Sequence, residues 1–263
     1  MKKILATLML PVAVLGLAAC GSDDKASSQN ELEKIKAEDK ITIGLEGTFP
    51  PFSYHDKDGK LTGFEYEIAE EIAKDLGVKS EFVEVKWDSL IAGLDTNKYD
   101  FVINNISITD ERKEKYDFTQ PYMKSEAVLA VRDDSSIKSL KDYDGKKSAQ
   151  TVTSNFAGEA EKLGASIVAN ENLTQSIDLV KQKRADGTIH DRVTFLTYMK
   201  ENPDSGLRVV DDVISSTDIA IILNQDEPEF KEALNDAIEE NLEDGTFEKI
   251  SNKYFDENVM YNK

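Results

Sequence analysis

The chain has 263 residues, a formal net charge of −19 and a single cysteine. Such acidity argues against nucleic acid or anionic lipid as a direct partner, and one thiol excludes an internal disulfide, so a packed core must hold the fold. Beyond the first residues no stretch approaches the roughly 20 apolar residues that a bilayer span needs.

Lys2 and Lys3 precede an apolar run from Ile4 to Ala19, the layout of a secretory signal that a mature protein lacks. The run ends in Leu17-Ala18-Ala19-Cys20, which resembles the lipobox that lipoprotein signal peptidase cleaves ahead of a diacylglyceryl-cysteine; a coincidental cysteine is the alternative. Acyl chains on Cys20, at about 0.8 kcal/mol per buried methylene, would hold the protein at a membrane surface without a spanning helix. Gly21 to Asn30 (GSDDKASSQN) is small and polar with no apolar period, and reads as a flexible tether.

Folding is expected after it. Ile41 to Leu45 reads as a strand, and Thr62-Gly-Phe-Glu65 as a capping box opening a helix with Phe64, Ile68, Ile72 and Leu76 on one face, closed by Gly77. Phe82 to Val85 is a second strand, Trp87 to Leu94 a short helix and Phe101 to Asn104 a third strand. The rhythm restarts with strands near Lys147 to Gln150, Ser166 to Ala169 and Gly187 to His190. Helices are expected from about Asn155 to Leu163, from about Leu173 to Lys183, and from Asp191.

Two such units predict an α/β protein with two lobes, each with a mainly parallel sheet. The apolar runs Ala127 to Val131 and Ile219 to Leu223 are the candidate crossing strands. The helices Glu229 to Leu242 and Phe247 to Tyr254 then return to the first lobe. The resulting division is signal peptide 1–19, lipidated cysteine and linker 20–33, first lobe 34–122 and 219–263, and second lobe 127–216.

In open α/β sheets ligands sit beyond the carboxyl ends of the strands, so the loops there are the candidate site. Gly47 to Tyr54 (GTFPPFSY) sets two rings around two prolines: Phe49 is expected to face a pocket and Phe52 to anchor inward, unless both merely pack the lobe. In Asn104 to Arg112 (NNISITDER) Thr109 can cap a helix beginning at Asp110. Arg112 there offers a guanidinium fork for a carboxylate, with hydroxyl and N–H donors around Ser107 and Thr109. The alternative is a surface arginine paired with the neighbouring acids. Thr153 and Ser154 add donors from the second lobe, or simply cap a helix. Asp191 can accept from an ammonium and cap a helix at once, and its carboxylate opposite Arg112 would complement a zwitterion. His190 is expected to be structural, since one histidine beside one aspartate makes neither a metal site nor a catalytic dyad.

Taken together, GTFPPFSY, LTGFEYEIAEEIAKDLG (61 to 77), WDSLIAGL (87 to 94), SITDER, KYDFTQPY (115 to 122) and DGTFEKISNKYF (244 to 255) resemble the polar amino acid solute-binding proteins, the family 3 receptors of ATP-driven importers. The resemblance spans about Ile41 to Phe255. It implies a periplasmic-binding-protein-like type II fold, two α/β lobes joined by two hinge strands near 122–126 and 216–220.

It further implies an aromatic wall at Phe49 and Trp87, donors at Asn104, Asn105, Ser107 and Thr109, and a carboxylate-binding Arg112. Thr153 and Ser154 match the family's hydroxyl pair, Asp191 its ammonium-binding acid, and Glu46 a position that contacts the ligand side chain. Val152 and Asn105 stand where many members have glycine. QTVTSN (150 to 155), with EGTFPPFSYHDKDGKLTG (46 to 63), looks most like the cystine-binding branch, so L-cystine is the expected ligand, and Glu46 would take the ammonium of its second head. Another polar amino acid such as glutamine, or a dehydratase-like enzyme on the same fold, are the alternatives. No nucleophile–base pair or carboxylate dyad stands in the motif loops, so no catalysis is expected. No cofactor or metal is expected either. The expected partners are a free amino acid, an importer permease and, through the lipid on Cys20, the membrane. The protein is expected to be a monomer at the outer face of a Gram-positive cell membrane.

Overall fold

The computed structural model describes residues 30–261; the expected signal peptide, Cys20 and the tether up to residue 29 lie outside them. The linker expected to reach residue 33 gives way earlier. Asn30 accepts a hydrogen bond from the Glu33 N–H at 2.8 Å and caps α1 (Glu31–Glu38), while Ile35 is buried and Leu32 packs on the core. The N-cap bond and that apolar pair hold three residues that look like tether in isolation.

The first lobe opens with β1 (Lys40–Leu45) and a small antiparallel sheet of β2 (Thr48–Phe49), β3 (Ser53–His55) and β4 (Leu61–Thr62). Strands this short carry no readable period, and the sequence did not reveal them. Next comes α2 (Phe64–Asp75), whose expected capping box does not form: Gly63 is the N-cap and Thr62 makes no cap bond. The backbone there has φ 135°, and a Cβ on Gly63 would sit 2.3 Å from the Phe52 carbonyl oxygen, so only glycine fits. Glu65 instead turns into the protein and is buried.

After β5 (Lys79–Glu84), α3 (Trp87–Leu90) runs on as a 3₁₀ turn over Ile91–Thr96. Then follow β6 (Phe101–Val102), α4 (Asp110–Lys113) and β7 (Tyr116–Phe118). The chain crosses on β8 (Met123–Arg132) into β9 (Lys147–Gln150), α5 (Asn155–Lys162), β10 (Ser166–Ala169), α6 (Leu173–Lys181), β11 (Gly187–Asp191) and α7 (Arg192–Glu201). It returns on β12 (Leu207–Ile219) to β13 (Ile222–Asn224), α8 (Pro228–Glu243) and α9 (Thr246–Phe255).

The strand order is β5-β1-β6-β13-β7 in the first lobe and β10-β9-β11-β8-β12 in the second. Each sheet has a parallel trio extended on one side by two strands in antiparallel pairing, more mixed than expected, because the chain must enter and leave each lobe along its sheet. Apolar side chains cover both faces of each sheet. The returning crossing is β12 rather than the Ile219–Leu223 run, which continues into the first-lobe sheet. Register shifts around Val213 break the alternation that would have revealed β12 in the sequence. β8 and β12 pair from Met123↔Ile219 to Glu126↔Ser216, an antiparallel ribbon where the lobes join.

Candidate functional site

Every parallel strand delivers a residue to the cleft between the lobes. Glu46 follows β1, Trp87 follows β5, and Asn104 and Asn105 follow β6. From the other lobe come Gln150 and Thr151 at the end of β9, Asn172 after β10 and His190 near the end of β11. Because strands of a parallel sheet all point the same way, their following loops share one rim. The cavity between the two rims has about 580 Å³ of space free of atoms, including its mouth, and Phe49, Ser154, Phe156, Leu173 and Ser176 complete its wall.

The first-lobe wall is built on one polar pair. The Asn104 amide donates to Glu46 Oε2 at 2.9 Å, and the Glu46 N–H donates to Asn104 Oδ1 at 2.9 Å. Burial raises the Glu46 pKa, opposed by the bonds from Asn104 and the Trp87 N–H and helped by nearby Asp88. Phe49 lies against Phe52, with centroids 4.7 Å apart and planes at 19°, and Phe52 meets Phe64 edge-on at 6.0 Å. Phe49 therefore faces the cavity and Phe52 the core.

Asn105 holds φ 49°, the left-handed region that asparagine tolerates better than most residues.

Sequence reasoning undervalued His190. Its ring lies 5.4 Å from Phe49 and 4.7 Å from Phe156 and lines the cavity. Its Nδ1 accepts the Asp191 N–H at 2.8 Å, and burial pushes its pKa down to about 3. The ring is thus neutral with its proton on Nε2, a single donor. Gln150, Thr151, Asn172, Leu173 and Ser176 were missed as well; the first four sit at or just after a strand end, and Ser176, inside α6, carries no such signal.

Five of the expected ligand contacts do not line the cavity. Ser107 is buried, and its carbonyl accepts from Arg112 Nη1 at 2.9 Å. Thr109 caps α4, taking the Arg112 N–H at 3.2 Å. The Arg112 guanidinium lies over the Trp87 ring, 5.5 Å from its centroid, so one side chain separates it from the cavity. Among the described residues no carboxylate forms an ion pair with it, and burial lowers its pKa to about 10, still leaving it charged at neutral pH. Asp191 caps α7 and accepts from Thr194 N–H at 3.2 Å and from the Ser125 hydroxyl. Thr153 donates to Asp88 across the cleft at 2.5 Å.

That bond is one of several between the lobes. Lys86 pairs with Glu171 at 2.8 Å, and Leu173 packs against core residues of both lobes. The lobes are therefore closed on one another.

A family model described as bacterial extracellular solute-binding proteins, family 3, matches residues 41–257. The chain is 38% identical over 267 residues to the L-cystine-binding protein TcyA of Bacillus subtilis, covering 98% of this chain and 99% of that protein. Among solved structures, the L-cystine solute receptor of Neisseria gonorrhoeae in its unliganded open conformation shares 39% identity over 88% of this chain and 99% of its own, with a TM-score of 0.62. A substrate-binding protein of an ABC uptake transporter from Streptococcus pneumoniae, with bound histidine, shares only 27% identity over 90% of this chain and 100% of its own, yet has a TM-score of 0.82. The less similar sequence superposes better, in keeping with the closed lobes described above.

Proposed function

The chain belongs to the bacterial extracellular solute-binding proteins of family 3, and we propose that this member captures L-cystine between its lobes and hands it to an ABC importer, tethered to the outer face of the membrane by lipid on Cys20. The relatives it matches are receptors rather than enzymes. Capture needs no chemistry. A ligand that touches both rims favours the closed arrangement, and closure is the form that a permease can distinguish.

The observation that carries the reading is the cavity itself, walled by polar side chains from both lobes, with the Arg112 guanidinium, which has no ion pair among the described residues, one ring away. A desolvated guanidinium without a carboxylate is costly to hold, and an α-carboxylate would offset that cost. For this role the Trp87 ring must yield or the carboxylate must approach its edge.

Length argues for cystine over a single-headed amino acid. A second cavity adjoins the first through Glu46, Thr48 and Asn172 and continues to Glu84, Lys86 and Glu171. Together they offer room and opposite charges for a second amino acid head, with Glu46 at the junction placed to accept its ammonium. Glu46→Gln keeps the shape and the Asn104 contact region but removes the charge. It is expected to weaken L-cystine about tenfold or more, the worth of a charge-assisted hydrogen bond, and to leave a single-headed amino acid little affected. Isothermal titration checks this, and unchanged cystine affinity would remove the second-head role.

A further inference from the structure

Glu65 stands in the second position of α2 and is fully buried. Its Oε1 accepts the Asn105 N–H at 2.6 Å and the Tyr122 hydroxyl. Asn105 is on the cavity wall, in a left-handed conformation that this backbone bond helps to hold.

Tyr122 is also fully buried and directly precedes the crossing strand β8. Its N–H donates to the Ile219 carbonyl at 3.0 Å, at the end of the other crossing strand, and its carbonyl accepts the Tyr261 N–H at 2.7 Å. One carboxyl oxygen thus joins the cavity wall to both hinge strands and the C-terminal segment.

The other oxygen is unusual. Glu65 Oε2 and Asn105 Oδ1 are both buried without a hydrogen-bond partner among the described residues. Both are acceptors, on two residues already bonded to each other, and such groups are rarely left bare in a fold. A proton on Oε2 supplies a donor that the pair lacks. The titratable groups facing Glu65 are Tyr122, Asp191 of the second lobe and Glu46.

We propose that Glu65 is a positioning residue for ligand capture: it locks the Asn105 turn to Tyr122, so that the first-lobe binding surface and the hinge move as one unit. Ligand contact with the Asn105 wall is then transmitted to the crossing strands without touching Glu65. The proposal rests on the amino acid receptor reading above.

The test compares wild type with Glu65→Leu, Glu65→Gln and Tyr122→Phe. Dissociation constants for L-cystine are measured by calorimetry, and closure is followed by fluorescence of Trp87, the chain's one tryptophan. Glu65→Leu is expected to weaken binding about tenfold or more and to blunt the Trp87 response. Glu65→Gln, which keeps an acceptor for both donors, should restore most of that loss. Tyr122→Phe keeps the ring and should weaken binding by roughly three- to tenfold, the range of one lost hydrogen bond. A purely structural role would lower melting temperatures while leaving the affinity and Trp87 response of folded protein unchanged, and that result in Glu65→Leu would overturn the proposal. Should Glu65→Leu fail to fold, Tyr122→Phe decides on the same criterion.

Failure of wild type to bind L-cystine would contradict the ligand assignment instead. The same variants are then compared with whichever of L-arginine, L-histidine or L-glutamine the wild type binds. Binding of none of them by wild type overturns the receptor reading and this proposal with it.

Discussion

Arg112→Ala is expected to weaken binding of any free amino acid on the order of 100-fold, while shifting the melting temperature of ligand-free protein by only a few degrees. The two halves have the same cause. The guanidinium gives up water beneath Trp87 and gains one carbonyl, that of Ser107, with no ion pair among the described residues. In the empty protein, removing it loses one hydrogen bond and some packing but also removes a desolvated charge, so the losses are partly offset. In the complex, the same change leaves a ligand carboxylate without its cation, and losses of roughly 2–5 kcal/mol are typical for such pairs; 3 kcal/mol is about a hundredfold. Arg112→Lys should fall between, because an ammonium cannot reproduce the planar fork. Calorimetric titration and thermal melting of the same samples check both halves. A large fall in stability with unchanged affinity would make Arg112 a structural cation stacked on Trp87.

The second large effect concerns stability and pH. Burial raises the Glu65 pKa from the ordinary 4.5 to about 7, opposed by the bonds from Tyr122 and the Asn105 N–H. Since the folded value lies above the unfolded one, the native state is favoured in full below pH 4.5 and loses that advantage as pH rises towards 7. At 1.36 kcal/mol per pH unit the loss is on the order of 3 kcal/mol.

Glu65→Gln cannot ionise, so relative to wild type it should gain stability between pH 4.5 and 7 and hold that gain above. At pH 8 the difference should reach roughly 6–12 °C in melting temperature for a protein of this size. Asp100, which burial raises to about 6, titrates in both proteins and cancels in the difference. Melting curves from pH 4 to pH 8 check this, and a difference independent of pH would mean that Glu65 carries no buried charge.

The parts of the fold that were legible in the sequence are those that local rules decide. The strand bounds Lys147–Gln150 and Ser166–Ala169 coincide with the expectation, because each segment stands between a glycine turn and a helix with its own cap. Thr109 and Ser154 cap the helices that their positions suggested. Glu65 shows where local rules lose. The T-G-F-E pattern satisfied a capping box, but the chain spent Gly63 on a close approach to Phe52 and turned the carboxyl towards Asn105 and Tyr122, partners 40 and 57 residues away.

The same contest reshaped the candidate site. Phe49, Glu46, Trp87, Asn104, Asn105 and Ser154 are brought to one cavity, as the strand-end rule suggests. Asp191 caps α7, a role that its position before a helix suggested, whereas the Thr153 bond to Asp88 between the lobes is announced by no spacing in the sequence. His190, Asn172 and Leu173 sit at or just beyond strand ends like the residues that were chosen. A lone histidine beside an aspartate suggests neither a metal site nor a dyad, so His190 reads as structural, and Asn172 and Leu173 lie in no motif that marks them.

The most direct test of cystine capture is the melting temperature of the purified protein against L-cystine, L-arginine, L-histidine and L-glutamine. A ligand at 100 times its dissociation constant adds about 2.7 kcal/mol, or roughly 5–11 °C at this size. That shift is expected for L-cystine, with the other three smaller at equal concentration. No shift with L-cystine, alongside a clear shift with any of the others, would contradict cystine capture.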